Sequence, residues 1–298
     1  LRPTRRKQKN RRNSKGLDLL STRELVQAIH REDATVPRAV GRELPAIATA
    51  VDAIVRQLRS GGRLIYVGAG TSGRLATLDA AECPPTFGVS PRLVQAVVAG
   101  GWRALTRAVE GAEDDAAQGA RDLAARRVGR HDAVVGLTAS GTTPYVLGAL
   151  KLARQRGAAT IGVTSRRGAA ISRIATITIA PETGPELIHG STRLKAGSAQ
   201  KAVLNTLSTA SLVRLGHVYQ NWMVDVALAN RKLRGRGLRI LREATGASES
   251  QAAKALEQAG GKMRVALVML KTGASPAQAR QRLRQARGDL RKALGETE

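Results

Sequence analysis

Two short loops hold most of the residues able to do chemistry. Gly68-Ala69-Gly70-Thr71-Ser72-Gly73 follows the apolar run "RLIYV" and opens a helix-forming stretch. In "LTASGTTPY", Thr138, Ser140, Thr142 and Thr143 surround Gly141, again between an apolar run and a helix. Backbone N–H groups at a helix start attract an anion, and hydroxyls add donors in the same turn. Two such loops at the C-terminal ends of parallel strands can converge on one phosphate. The pattern therefore predicts a phosphomonoester site built from Gly70, Thr71, Ser72, Ser140, Gly141, Thr142 and Thr143. Two ordinary capped helices explain one loop readily and both less well. The first loop also matches G-x-G-x-x-G, but a dinucleotide site expects an acidic residue about 20 positions on, at the end of the second strand. That strand ends "AVVAGG", so the dinucleotide reading fails.

The elements that must position these loops alternate between strand and helix. "RLIYVGAG", "LVQAVVAG", "HDAVVGLTAS", "ATIGVTS" and "ATITIAP" read as strands. Between them lie "TSGRLATLDAAE", a helical region from about 103 to 127, and "PYVLGALKLARQRG". This succession predicts a parallel sheet covered on both faces, an α/β three-layer sandwich. Residues 17–60 precede it as amphipathic helices, the first opening on Ser21 with Glu24 three residues later, a capping box. A long apolar helix is expected from Ser198 to Leu215. Short helices follow beyond about residue 235. The expected divisions are a basic tail at 1–16 (read as disordered), helices at 17–60, an α/β domain carrying the two loops at 61–222 and a helical module at 223–298.

Composition narrows the class. With 298 residues and 42% hydrophobic content the chain can bury a real core, and 2% aromatic content makes that core aliphatic. One cysteine allows no internal disulfide and fits a reducing compartment. No apolar run nears the ~18 residues of a membrane span, and the basic N-terminus has no secretory apolar stretch. The expectation is a cytoplasmic protein with no membrane partner. Of the net charge of +26, residues 1–16 carry +8 and residues 231–298 carry +10. Such ends can attract a polyanion; the simpler account is a solvated arginine-rich surface, with nucleic acid bound non-specifically if at all.

The two loops resemble those of the sugar isomerase (SIS) domain, a phosphosugar-binding α/β module. The longer blocks "GAGTSGRLATLDAAECPPTFG", "AVEGAEDD", "SGTTPYV", "TGPELIHGSTRLKAGSAQKAVLNTLSTA" and "NWMVDV" are similar to the N-acetylmuramic acid 6-phosphate etherases. The resemblance runs from about Leu17 to the C-terminus, and the final helices resemble a ubiquitin-associated-like module. It implies cleavage of the lactyl ether of N-acetylmuramate 6-phosphate, giving N-acetylglucosamine 6-phosphate and D-lactate, with no metal or other cofactor. It implies that Glu113 removes the C2 proton and Glu82 protonates the departing lactate. It further implies substrate contacts from Glu186, Ser191, Thr192 and Lys195, and a homodimer with the site near its interface. The residues alone leave room for plainer roles. Glu82 can be a surface helix-end residue, and the run Glu113-Asp114-Asp115 can simply favour a helix N-terminus. Cys83 reads as packing. His189 stands where the family pattern expects a small residue, and the wholly basic start departs from it as well.

Two other classes share the fold. A non-catalytic phosphosugar sensor, like the glucokinase regulatory proteins, is disfavoured by the presence of both Glu82 and Glu113. A transcription regulator with a SIS sensor needs a helix-turn-helix of about 75 residues before the first strand. Here only about 60 residues precede it, and they show no recognition helix. A ketose–aldose isomerase is the weaker remaining option.

Overall fold

The computed structural model describes residues 16–226, 228, 231–286 and 288–296. The expected basic tail, Gly16 apart, lies outside them. The chain divides into two compact units, one of residues 1–80 and 94–207, the other of 81–93 and 208–298.

The first unit opens with helix α1 (Thr22–Asp33), where Ser21 and Glu24 form the expected capping box. A short helix, α2 (Val36–Gly41), comes next, and the second amphipathic helix follows as α3 (Leu44–Arg59), with Pro45 in its first turn. Proline fits there because its missing N–H has no helical partner to lose. Five strands follow: β1 (Leu64–Gly68), β2 (Val94–Val98), β3 (Ala133–Leu137), β4 (Ala159–Val163) and β5 (Ile177–Ile179). They form one parallel sheet in the order β2-β1-β3-β4-β5. β1 and β3 are buried along their whole length, which explains why both read as unbroken apolar runs.

Helices α5 (Ala116–Ala125) and α6 (Pro144–Gln155) pack together, and α6 lies on β1, β3 and β4. Ile65, Val67 and Val134 share one core with Val146, Ala149 and Leu150 of α6. α3 lies against β3, β4 and β5 with Ile47, Val51, Ile54 and Leu58 buried, completing the three layers. The region from 103 to 127 is less helical than expected. Gly101–Leu105 is a 3-10 turn, and α5 starts only after Asp115, whose carboxylate accepts from Gln118 N. The long helix, α7 (Lys195–Arg214), begins three residues before Ser198 because Glu186, from the preceding loop, caps it. A cap nine residues away is invisible to a search for adjacent caps. Helix α4 (Gly70–Phe87) joins the units and runs on past Glu82, through Pro84 and Pro85. Neither proline brings an N–H, so the carbonyls four residues before them get no helical bond.

The second unit holds a hairpin of β6 (Val218–Tyr219) and β7 (Trp222–Met223), then α8 (Arg231–Thr245), α9 (Glu249–Gln258), α10 (Met263–Thr272), α11 (Pro276–Gln285) and α12 (Leu290–Leu294). The hairpin was not expected. Its core collects Tyr219, Val224, Leu241, Leu256, Leu267 and Leu290. The stretch "SPAQARQRLRQARGDLRKAL" splits in two near Gly288, whose φ is +83°, and Asp289 caps the second piece. Arg264 fastens this unit: it donates to both oxygens of Asp225 at 2.6 and 2.5 Å, and to the carbonyls of Gly216 and Gly288.

Candidate active site

The first loop is shaped by glycine contacts. A Cβ on Gly68 would lie 2.7 Å from Gly73 N, and one on Gly73 2.6 Å from Val98 Cγ1 and 3.0 Å from Gly68 O. Close approach of the helix start to the strand end, not a dinucleotide, accounts for these two glycines. Gly70 turns the chain with φ +53°. Thr71 is half-buried at the head of α4, while Ser72 is 8% exposed and its hydroxyl donates to Gln200 Oε1 at 2.9 Å.

The second loop is organised around Thr138, itself 3% exposed. Thr138 Oγ1 lies 3.1 Å from Ser140 Oγ and 2.7 Å from Thr143 Oγ1, and it accepts from Gly141 N at 3.2 Å. Ser140 Oγ accepts from the Thr142 hydroxyl at 3.0 Å and from Thr142 N at 3.2 Å. Gly141 has φ +74°, and a Cβ there would meet the Ala169 methyl at 2.3 Å. No other residue fits that turn without a shift. Thr142 is exposed; Ser140 and Thr143 are half-buried.

The sheet brings the two loops together. Gly68 of β1 is in register with Leu137 of β3, so the loops leave adjacent strands at one level, about 4.8 Å apart. In the observed strand order, chain connections run opposite ways from β1 and β3. Open parallel sheets bind ligands at such a switch point, outside the C-terminal strand ends.

Glu113 comes to the second loop through its backbone. Its carbonyl accepts from Tyr145 N at 3.0 Å, two residues after Thr143. Glycines fix that arrangement: a Cβ on Gly119 would meet Tyr145 O at 2.0 Å, and one on Gly148 would meet Ala116 O at 1.9 Å. Tyr145 OH donates to Asp122 Oδ2 at 2.6 Å, and burial together with that carboxylate pushes the phenol far above its ordinary range. The acidic run divides its duties. Asp115 is the helix cap, whereas the Glu113 carboxylate is exposed and has no hydrogen bond or ion pair among the described residues.

Glu82 belongs to the second unit, exposed on α4, next to Cys83, which is 2% exposed and packed. Burial in an apolar wall, one way to keep its proton, is not what the single chain provides. Glu186 spends both carboxylate oxygens on Lys195 N (3.0 Å) and Ala196 N (2.9 Å). The Lys195 ammonium, 4% exposed, pairs with Glu32 of α1. These residues border an apolar groove of about 320 Å3 lined by Leu25, Ile29, Leu187, Ile188 and Leu194. Ser191 is half-buried, while Thr192 and His189 are exposed on the same loop. Sequence reasoning passed over Glu32, Gln200 and Asn205. The available signal for the last two was a pair of amides within an apolar helix. Among the described residues no group of three or more His, Cys, Asp or Glu side chains is placed to hold a metal ion.

Comparison with known proteins agrees with the fold. Residues 46–154 match the glucokinase regulatory protein N-terminal SIS domain and residues 112–210 the SIS domain. The fold resembles a phosphoheptose isomerase from Francisella tularensis, with TM-score 0.52 and 19% identity over 64% of this chain and 98% of that one. The N-acetylmuramic acid 6-phosphate etherase of Symbiobacterium thermophilum is 55% identical over 254 residues, 85% of this chain and 84% of the relative. That of Geobacillus thermodenitrificans is 52% identical over 257 residues, 86% and 87% of the two chains. The chain belongs to the N-acetylmuramic acid 6-phosphate etherase family.

Proposed function

We propose that this protein opens the lactyl ether of N-acetylmuramate 6-phosphate through the site at the β1–β3 switch point. Family membership makes the chain a carbon–oxygen lyase and disfavours the non-catalytic sensor. The observation that carries the site is the pairing of two hydroxyl-bearing loops in register, with Glu113 tied by its backbone beside the second. The loops take the phosphate. The sugar ring opens to an aldehyde at C1, which acidifies the C2 proton. Glu113, an exposed carboxylate with no competing partner among the described residues, removes that proton, and the C3–O bond breaks with the electron pair leaving on lactate. Glu82 protonates the departing oxygen, and water adds across the resulting double bond to give N-acetylglucosamine 6-phosphate. A positioned acid or base of this kind contributes about 10²–10⁴-fold.

The protein works as a cytoplasmic homodimer in this reading. Val26 and Ile29 of α1 stay 60% and 41% exposed, and no residue of that helix is buried in the single chain, leaving an apolar face for a second copy. Among the described residues no helix is long and apolar enough to cross a membrane. Release of D-lactate from N-acetylmuramate 6-phosphate is the test. Unphosphorylated N-acetylmuramate is expected to react very poorly, and equal kcat/KM for the two sugars contradicts phosphate anchoring.

A further inference from the structure

We infer that Gln200 is a positioning residue that sets the direction of the Ser72 hydroxyl, and so the affinity of the first loop for phosphate. The inference rests on reading that loop as the phosphate site. Ser72 and Gln200 stand 128 positions apart and both are buried, at 8% and 2% exposure. α7 faces the head of the loop at Gly197, where a Cβ would stand 3.5 Å from the Thr71 methyl, an ordinary van der Waals distance. A second rung fixes the same two helices: Asn205 Nδ2 donates to Asp79 Oδ1 at 2.9 Å, and Tyr66 OH donates to Asp79 Oδ2 at 2.9 Å.

The polarity of the Ser72–Gln200 bond matters. A serine hydroxyl has one proton. In the structure that proton points to Gln200 Oε1, so Ser72 offers an anion only its backbone N–H. Gln200 Nε2 is meanwhile buried with no acceptor among the described residues, an arrangement proteins avoid because an unmet buried donor is costly. Turning the amide half a revolution about its terminal bond removes both faults. Nε2 then donates to Ser72 Oγ, and the Ser72 proton is released toward phosphate as a charge-assisted hydrogen bond. Oε1 loses its donor, a lesser penalty for a carbonyl than for an N–H group. Phosphate binding and amide reversal are thereby coupled: the relay runs Gln200 to Ser72 to phosphate oxygen.

The experiment is a double-mutant cycle on the full chain with Gln200→Met and Ser72→Ala, read by the inhibition constant of inorganic phosphate against lactate release. Gln200→Met keeps the volume and loses the amide. Ser72→Ala is expected to weaken phosphate inhibition roughly tenfold, the worth of one hydrogen bond to a charge; Gln200→Met, which frees the Ser72 proton but leaves it unoriented, is expected to weaken it by about threefold, and both raise KM with kcat within about twofold. The double variant is expected to be no worse than Ser72→Ala alone, because the two act in series. Gln200→Glu, an acceptor that fixes the Ser72 proton inward, is expected to weaken inhibition at least as much, and it serves if Gln200→Met does not fold. Additive losses, or an unchanged inhibition constant with a lower melting temperature, overturn the relay and leave Gln200 a structural strut. If wild-type protein is neither inhibited by phosphate nor selective for the phosphorylated sugar, the phosphate reading falls first and takes the relay with it.

Discussion

The two hydroxyl-rich loops share composition, strand context and level in the sheet, yet they are held by different means. The hydroxyls of the second bond one another between Thr138 and Thr143, and from outside only the Thr164 hydroxyl, among the described side chains, adds a bond, to the Ala139 carbonyl. The first has its serine tied to Gln200 on a helix that the chain reaches only after four more strands. The hydroxyls of one loop are therefore oriented by local sequence, whereas the serine of the other is oriented by tertiary packing. The second also has Glu113 tied beside it, its carbonyl accepting from Tyr145 N. The contrast suggests a division of labour in which the first loop governs binding and the flank of the second governs chemistry.

The largest effect that can break this division concerns the glutamates. Glu113→Gln is expected to lose lactate release and C2 hydrogen exchange together, each by on the order of 10²-fold or more. Glu82→Gln keeps its shape but delivers no proton, so it is expected to exchange C2 hydrogen with deuterated solvent while releasing almost no lactate. NMR of C2 deuteration beside a lactate assay distinguishes them. Exchange lost in Glu82→Gln but kept in Glu113→Gln reverses the roles, and wild-type lactate release in both removes the glutamates from the mechanism.

A smaller effect tests the self-contained loop. Thr138→Val deletes the hydroxyl that meets Ser140, Thr143 and Gly141 N while keeping the shape of the side chain. Buried groups then lose a partner, which costs about 1–3 kcal/mol. kcat/KM is expected to fall roughly tenfold, and the urea midpoint should drop accordingly. An unchanged midpoint means that the loop is held from outside, as the first one is, and the contrast between them disappears.

What the sequence revealed follows the same line. The strands, the glycine turns and the Ser21–Glu24 box depend on neighbours a few residues apart, and all are readable. The parallel sheet follows from strand–helix alternation, but its strand order does not, because alternation leaves open on which side each new strand is added. The role of Ser72 was not readable as it stands, because its partner lies on α7. The start of α7 was misjudged because Glu186 caps it from across a loop. The run Glu113-Asp114-Asp115 was ambiguous because helix capping and catalysis ask for the same side chains. The structure separates Asp115, which caps, from Glu113, which does not.

The smallest effect on turnover is expected at the opposite end of the same two strands, which makes it a control for the contrast. Arg63 and Asp132 immediately precede β1 and β3. Arg63 donates to Asp132 from its backbone N (2.9 Å), Nε (3.0 Å) and guanidinium terminus (2.8 Å), and Gly129 N adds a bond at 2.9 Å. Burial by itself would raise the Asp132 carboxyl, but Arg63 and these N–H donors hold it below the usual aspartate range. A carboxyl depressed in the folded state stabilises the fold above its unfolded pKa, about 3.9, and that contribution disappears as pH falls through the lower folded value. Asp132→Asn is therefore expected to lower stability at pH 7 by about 1–3 kcal/mol and to flatten the acid limb of the stability profile. Asp225 in the second unit, depressed against its own burial by His217 and Arg264, retains its share of the pH dependence. Because the pair stands at the strand ends away from both loops, kcat and the phosphate inhibition constant are expected to stay within about twofold of wild type where Asp132→Asn is folded. Denaturant titrations from pH 3 to 7, with kinetics at pH 7, check both halves. A kinetic defect in fully folded Asp132→Asn means that the strands transmit strain to the loops, and neither loop is then as locally determined as the contrast requires.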